Sequence, residues 1–384
     1  MAVPVGGQSY SVATKPGVLA HGFRDPAAML LAEQVVVPPD GVVVLMNCGN
    51  GLTGAVIAGG GRTSRLLLTD RNLLSVDAAR RTMARAGVEA TAVYRGQGAH
   101  PLPRELQADV VAIRIPLEKL ALHQLLWDAH RILRVGGRCY IAGATNEGIK
   151  SAAKAMERLF GEANLETVSS GHRVLSAARA PDIGGSVEEF ENPFLDSDHF
   201  NELHVTLRGS ACTLFTRPGV FSWDHADEAT EILAGVMEVQ RGDAVLDLGC
   251  GAGGLGLVAA RLSGTGRVSM VDADVEAVRS ATRTVQHAGL DQCTVLASDV
   301  ASAVLAERFD VVVTNPPFHV GKSTDLRVPV QFIHDAWEVL RPGGRLFLVA
   351  NRTLPYEREV NERFGNLATA HDGRRFKVLS AVRR

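Results

Sequence analysis

Nowhere does the chain approach the ~18 consecutive apolar residues of a membrane span. Its first residues, MAVPVGGQSYSVATKPG, also lack the basic start and apolar run of a secretory leader. A cytoplasmic address with no membrane partner is expected. Cysteine is scarce and scattered. Cys48, Cys139, Cys212, Cys250 and Cys293 never fall into a C-x-x-C spacing, which argues against a metal site and against a disulfide framework. An excess of one charge is missing too: a formal net charge of -2 sets up no global field to draw in phosphates. The local exception is residues 321–384, where 12 Lys/Arg stand against 7 Asp/Glu. That surplus reads either as a solvated surface or as a phosphate-contacting patch.

What is present is material for two ordinary globular domains: 384 residues, 46% hydrophobic and 21% charged. The two are related. A shift of 202 positions lays KPGV (Lys15 to Val18) on RPGV (Arg217 to Val220), CGNG (Cys48 to Gly51) on CGAG (Cys250 to Gly253) and Asp70 on Asp272. At slightly different offsets LRVGGRCYIAG (Leu133 to Gly143) pairs with LRPGGRLFLVA (Leu340 to Ala350). A period near 200 residues is a duplicated domain and not a solenoid. The copies differ on one side only. Where the second has Asp247, Gly249 and Asn315-Pro316-Pro317-Phe318, the first has Leu45, Asn47 and Arg114-Ile115-Pro116-Leu117. The first copy is therefore expected to keep the fold without cofactor or catalysis. The boundary is placed at the acidic, irregular stretch beginning at Val187, giving domains 1–186 and 187–384, with a hairpin over 204–222 leading into the second core.

From Asp243 onward, short apolar runs alternate with helical periodicity: AVLDL, LGLVAARL, RVSMVD, VEAVRSATRTVQHAG, CTVLASD, a helix over ASAVLAERF, DVVVTN, and a long helix ending at LRPGG. This order predicts an α/β domain, a parallel sheet of Rossmann-like type covered on both faces, with ligands beyond the carboxyl ends of the strands. The interesting residues fall at those ends: Asp247, Asp272, Asp299 and Asn315. Asp247 to Gly253 is a glycine-rich turn, whose bare backbone lets a ligand approach. Its glycines also satisfy the dinucleotide pattern, so a nicotinamide dehydrogenase is the competing reading. The acids separate the two. Asp272 suits a ribose diol in either case, whereas Asp247 before the glycines can face the ammonium of a methionine moiety, and Asp299 the adenine amine. S-adenosylmethionine is the expected cofactor, held by Asp247, Gly249, Cys250, Gly251, Gly253, Asp272, Asp299 and Asn315. Each acid has a plainer alternative: Asp247 bonding the turn, Asp272 capping VEAVRSATRTV, Asp299 capping ASAVLAERF.

Asn315-Pro316-Pro317-Phe318 follows the strand DVVVTN. An exocyclic base amine is a poor nucleophile because its lone pair is delocalised. A site for it must accept its two N–H groups. The Asn315 side-chain oxygen and the Pro316 carbonyl suit that task, the two prolines leave no N–H to compete, and Phe318 can stack on a base drawn out of its helix. These four are the expected catalytic residues. His319 and Lys322 come next in the chain, either touching RNA or merely solvated.

NPPFHVGK (Asn315 to Lys322), VANRTLPYE (Val349 to Glu357), Phe364-Gly365 and RFKV (Arg375 to Val378), with PGVFS (Pro218 to Ser222) upstream, resemble the ribosomal RNA small subunit methyltransferase C group. The large-subunit relative RlmG is similar. The resemblance implies guanine-N2 methylation of 16S ribosomal RNA, free or within the small subunit, by a duplicated fold with a degenerate first copy. A monomer without metal is the working expectation. Methylation of 23S RNA, or a non-catalytic RNA-binding assembly factor, are the alternatives.

Overall fold

Two short runs rich in valine and leucine, Gly41–Met46 and Val245–Leu248, form the central strands of two separate seven-stranded sheets. The computed structural model describes residues 1–61, 63–88, 91–181, 190–317, 319–320, 323–324 and 326–384. In the second sheet the spatial order is Cys293–Ala297, Val268–Asp272, Val245–Leu248, Phe309–Thr314, Leu340–Asn351, Phe376–Val382 and Ala368–Asp372. The first five are mutually parallel, and Phe376–Val382 runs against both of its neighbours. Numbered along the chain the order is 3-2-1-4-5-7-6, and the first sheet repeats it strand for strand. The duplication expected from the sequence is thus a duplication of topology.

Strand residues alternate between two helical layers, as the pleat requires. Val311 and Val313 face the helices Glu228–Val236, Gly254–Ser263 and Val275–Ala288, while Val312, between them, faces Arg327–Val339 and Tyr356–Phe364. Both faces are covered, so the strands read as continuous apolar runs.

The hairpin ahead of the second core is present as Asn201–Leu207 paired with Ser210–Thr216. Its two-residue turn, Arg208-Gly209, has positive φ at both positions, the geometry that matches strand twist. A hairpin at the same shift, Ala2–Val5 with Gln8–Ser11, opens the first copy. Even the docking bond is repeated: Thr82 Oγ1 accepts the Ala13 amide at 3.0 Å, and Thr284 Oγ1 accepts that of Phe215 at 2.9 Å.

The chain divides into two compact units, Met1–His199 and Phe200–Arg384. The expected boundary residue, 187, lies outside the described residues. Phe190 and Leu195, assigned by sequence to the second domain, pack in the core of the first unit. The helix expected over ASAVLAERF is a single 3₁₀ turn, Ser302–Val304. Asp335 accepts the Ala301 amide at 3.1 Å and Ser298 the Ala303 amide at 3.0 Å, as side chains do at a helix start, but no regular helix follows.

Candidate active site

Strands 1 and 4 of the second sheet are neighbours at the point where strand order reverses, which is where open parallel sheets bind ligands. Asp247, next to last in strand 1, is fully buried. Its Oδ2 accepts the Gly256 amide at 2.7 Å, and its Oδ1 meets no hydrogen-bond partner among the described residues. Burial, opposed by that amide and reinforced by nearby Asp272, pushes its carboxyl up to about 7. A buried carboxylate oxygen without a donor is costly, and an ammonium group supplies the donor and the countercharge together. So the plainer reading of Asp247 accounts for one oxygen and leaves the other for a ligand.

The turn that follows has left-handed backbone at Gly249, Gly251 and Gly253. At Gly251, φ is +53° and a side chain would project into open space, the room a ligand would take. Cys250 joins the turn through its backbone, donating to Val271 and accepting from Gly253. Its thiol packs in the core, where burial and the neighbouring acids push it well above its usual range. Asp272 accepts the Gly251 and Asp274 amides, each at 2.9 Å. The cap of Val275–Ala288 is Asp274, not Asp272. The 3₁₀ turn that follows Asp299 has no side-chain cap. The three acids thus stand at the ends of adjacent strands, and a buried acceptor, an open glycine cradle and a carboxylate at the end of the second strand fit S-adenosylmethionine.

Asn315 follows strand 4 directly. Thr314 Oγ1 donates to the Leu248 carbonyl at 2.6 Å, clamping this corner to the glycine turn. Pro316 is buried and Pro317 exposed. The Asn315 Nδ2 donates to Asp227 Oδ2 at 3.1 Å and to Thr230 Oγ1 at 3.3 Å. Neither partner was identified from the sequence; the signal was Asp227 at the start of an apolar-periodic segment, where it reads simply as a helix cap. Phe318 and Lys322 lie outside the described residues, as does the His319 side chain.

The first copy is built differently at the same place. Leu45 replaces the acid and is buried in the core. Asn47, with φ +54°, spends its side chain on the Arg114 carbonyl at 2.6 Å. Arg114, at the position of Asn315, is itself buried and paired with Asp25 at 2.9 Å and Glu147 at 2.8 Å. These carboxylates outweigh the desolvation of the guanidinium and raise its pKa. The cavity that remains, lined by Asp25, Leu45, Asn47 and Arg114 among others, is about 20 Å³, room for roughly one water.

The C-terminal basic surplus is mostly spent on carboxylates. Arg341 meets Asp310, Arg345 Asp243, Arg352 Asp372, Arg363 Glu338, Arg375 Glu228 and Lys377 Glu357. Among the described residues no group of three His, Cys, Asp or Glu is placed to hold a metal, and no helix is long and apolar enough to cross a membrane.

Comparison with known proteins agrees with this geometry. The methyltransferase small domain family matches twice, over residues 9–176 and 211–380. The ribosomal RNA small subunit methyltransferase C of Hahella chejuensis is 33% identical over 282 residues, covering 73% of this chain and 80% of that protein. The same protein of Cronobacter sakazakii is 34% identical, covering 72% of this chain and 76% of its own. Among solved structures, the T. thermophilus 16S rRNA N2 G1207 methyltransferase (RsmC), in complex with AdoMet and guanosine, is 30% identical. It superimposes with a TM-score of 0.80 over 100% of this chain and 98% of that one. With both halves matched and identity above 30% over most of its length, the chain belongs to the ribosomal RNA small subunit methyltransferase C family.

Proposed function

We propose that this protein transfers the methyl group of S-adenosylmethionine to the 2-amino group of a guanine in 16S ribosomal RNA, in the cytoplasm, using the second unit alone. The observation that carries the reading is the clamp between Thr314 and Leu248, which fixes an Asn-Pro-Pro corner beside a glycine turn backed by the unsatisfied Asp247 carboxylate. The named relatives act on small-subunit RNA, and the T. thermophilus enzyme was solved with AdoMet and guanosine together.

When bound, the cofactor supplies an electrophilic methyl on a sulfonium that departs as a neutral thioether. Asp247 would hold its ammonium, Asp272 its ribose hydroxyls and Asp299 its adenine amine. Asn315 Oδ1, which accepts no hydrogen bond among the described residues, takes one N–H of the guanine amine, and the Pro316 carbonyl takes the other. Both bonds favour a more tetrahedral nitrogen with its lone pair on the methyl carbon. The amine proton turns acidic only after the C–N bond forms, so positioning matters more than a strong base. Phe318, which lies outside the described residues, is the residue expected to stack on the base.

Incubating the protein with methyl-labelled cofactor and small-subunit RNA or particles tests this. Label on guanine N2 of 16S RNA is the expected outcome. Label confined to 23S RNA would move the substrate to the other subunit, and absence of cofactor binding by calorimetry would leave an assembly factor.

A further inference from the structure

A carboxamide has two ends of nearly equal shape, and only one of them can accept an N–H. For Asn315 to receive the guanine amine, its oxygen must face the substrate and its nitrogen must face the protein. We infer that Asp227, assisted by Thr230, is the positioning residue that sets this orientation; the inference rests on the catalytic assignment of Asn315 made above.

The geometry leaves little choice. Asp227 Oδ2 lies 3.1 Å from Asn315 Nδ2, and a carboxylate has no proton to give. Turning the amide over would set two acceptor oxygens against each other at hydrogen-bond distance. Thr230 Oγ1, 3.3 Å from the same nitrogen, takes its second hydrogen. Asp227 is in turn held from behind. It is the N-cap of Glu228–Val236, and the same Oδ2 accepts the Thr230 amide at 2.7 Å. A helix start thus fixes the acid, the acid fixes the amide, and the amide presents one oxygen outward.

The first copy supplies an independent observation. The shift that superposes the glycine turns also places Asp25 on Asp227. Asp25 caps its own helix, accepting the Ala27 amide at 3.0 Å, and its other oxygen grips Arg114 Nε at 2.9 Å. The residue beyond strand 4 has changed from asparagine to arginine, yet the acid at the helix start still holds it. An acid in this place acts on whatever follows strand 4, over and above capping.

The test separates capping from positioning. Asp227→Ser keeps a hydroxyl for the Thr230 amide but is too short to reach Asn315, whereas Asp227→Asn can keep an oxygen where Oδ2 stands. Turnover on small-subunit particles at saturating cofactor is measured beside calorimetric cofactor affinity and a thermal melt. The serine variant should lose about tenfold or more in kcat, with cofactor Kd within about twofold. The asparagine variant should stay within about threefold of wild type in kcat. Wild-type kcat in the serine variant, an equal loss in both variants, or a fall in cofactor affinity matching the fall in turnover would each overturn the inference. If the serine variant does not fold, Thr230→Val, which removes one acceptor and leaves the cap, should lower kcat about threefold at unchanged Kd, and no change would count against it. Full turnover by Asn315→Ala alone would reject the assignment beneath, whereas loss there with an intact serine variant rejects only the role of Asp227.

Discussion

Asp247 titrates where its surroundings put it, and the sign of the consequence is fixed. Its value in the folded protein, about 7, lies above the ordinary 3.8. For this group the cofactor-free protein is most stable at low pH and loses stability as pH rises between those two values, by roughly 4 kcal/mol at most. The cofactor's ammonium prefers the ionised form. Cofactor Kd should therefore rise about tenfold between pH 8 and pH 6, and Asp247→Asn should bind weakly with no such slope; calorimetry across that range checks both. Asn315→Ala should abolish turnover while cofactor Kd stays within about tenfold, measured by the same titration with a methylation assay alongside. Asp247, the glycines and Asn315 were legible because each sits in a contiguous motif at a strand end. Asp227 was not: it stands 88 positions from the side chain it holds, and an acid ahead of EATEIL satisfies the local rules for a helix start without any reference to Asn315.

At the scale of elements, the hairpin Asn201–Leu207 with Ser210–Thr216 is fastened to the core by a buried ion pair. Arg217, just past the second strand, meets Glu276 of Val275–Ala288 at 3.1 Å, the two side chains 1% and 2% exposed. Glu276 also takes Arg279, at 3.0 Å, so losing Arg217 leaves the acid one cation. Arg217→Met should destabilise the protein by about 1–3 kcal/mol, and adding Glu276→Leu, which releases Arg279 as well, should not recover that loss; denaturant unfolding of both variants measures it. The parallel sheet was readable because strands covered on both faces leave nearly unbroken apolar runs. The stretch after Asp299 misled for a complementary reason. ASAVLAERF has helical spacing, but it closes as a single 3₁₀ turn, Ser302–Val304, and the tertiary contact that holds its start, Asp335 accepting the Ala301 amide from 34 positions away, leaves no mark on local periodicity.

For the whole molecule, the two copies share a topology and differ in what stands at their strand ends. Calorimetry should find one cofactor per chain, and a stoichiometry of two would contradict the reading of the first copy. Cofactor at 100 times its Kd should stabilise the second unit by about 2.7 kcal/mol and leave the first where it was, visible as an upward shift of a single transition in scanning calorimetry. Arg114→Ala should weaken the first unit by about 3–5 kcal/mol through its abandoned acids, without altering cofactor affinity. That interlock also bears on descent. Restoring asparagine at 114 would by itself leave the half-buried Glu147 without its cation, and the acid and glycine of the turn would still be absent. An active centre in this half would therefore need several coordinated changes, at positions 45, 47 and 114 together, and no one of them alone supplies a cofactor site.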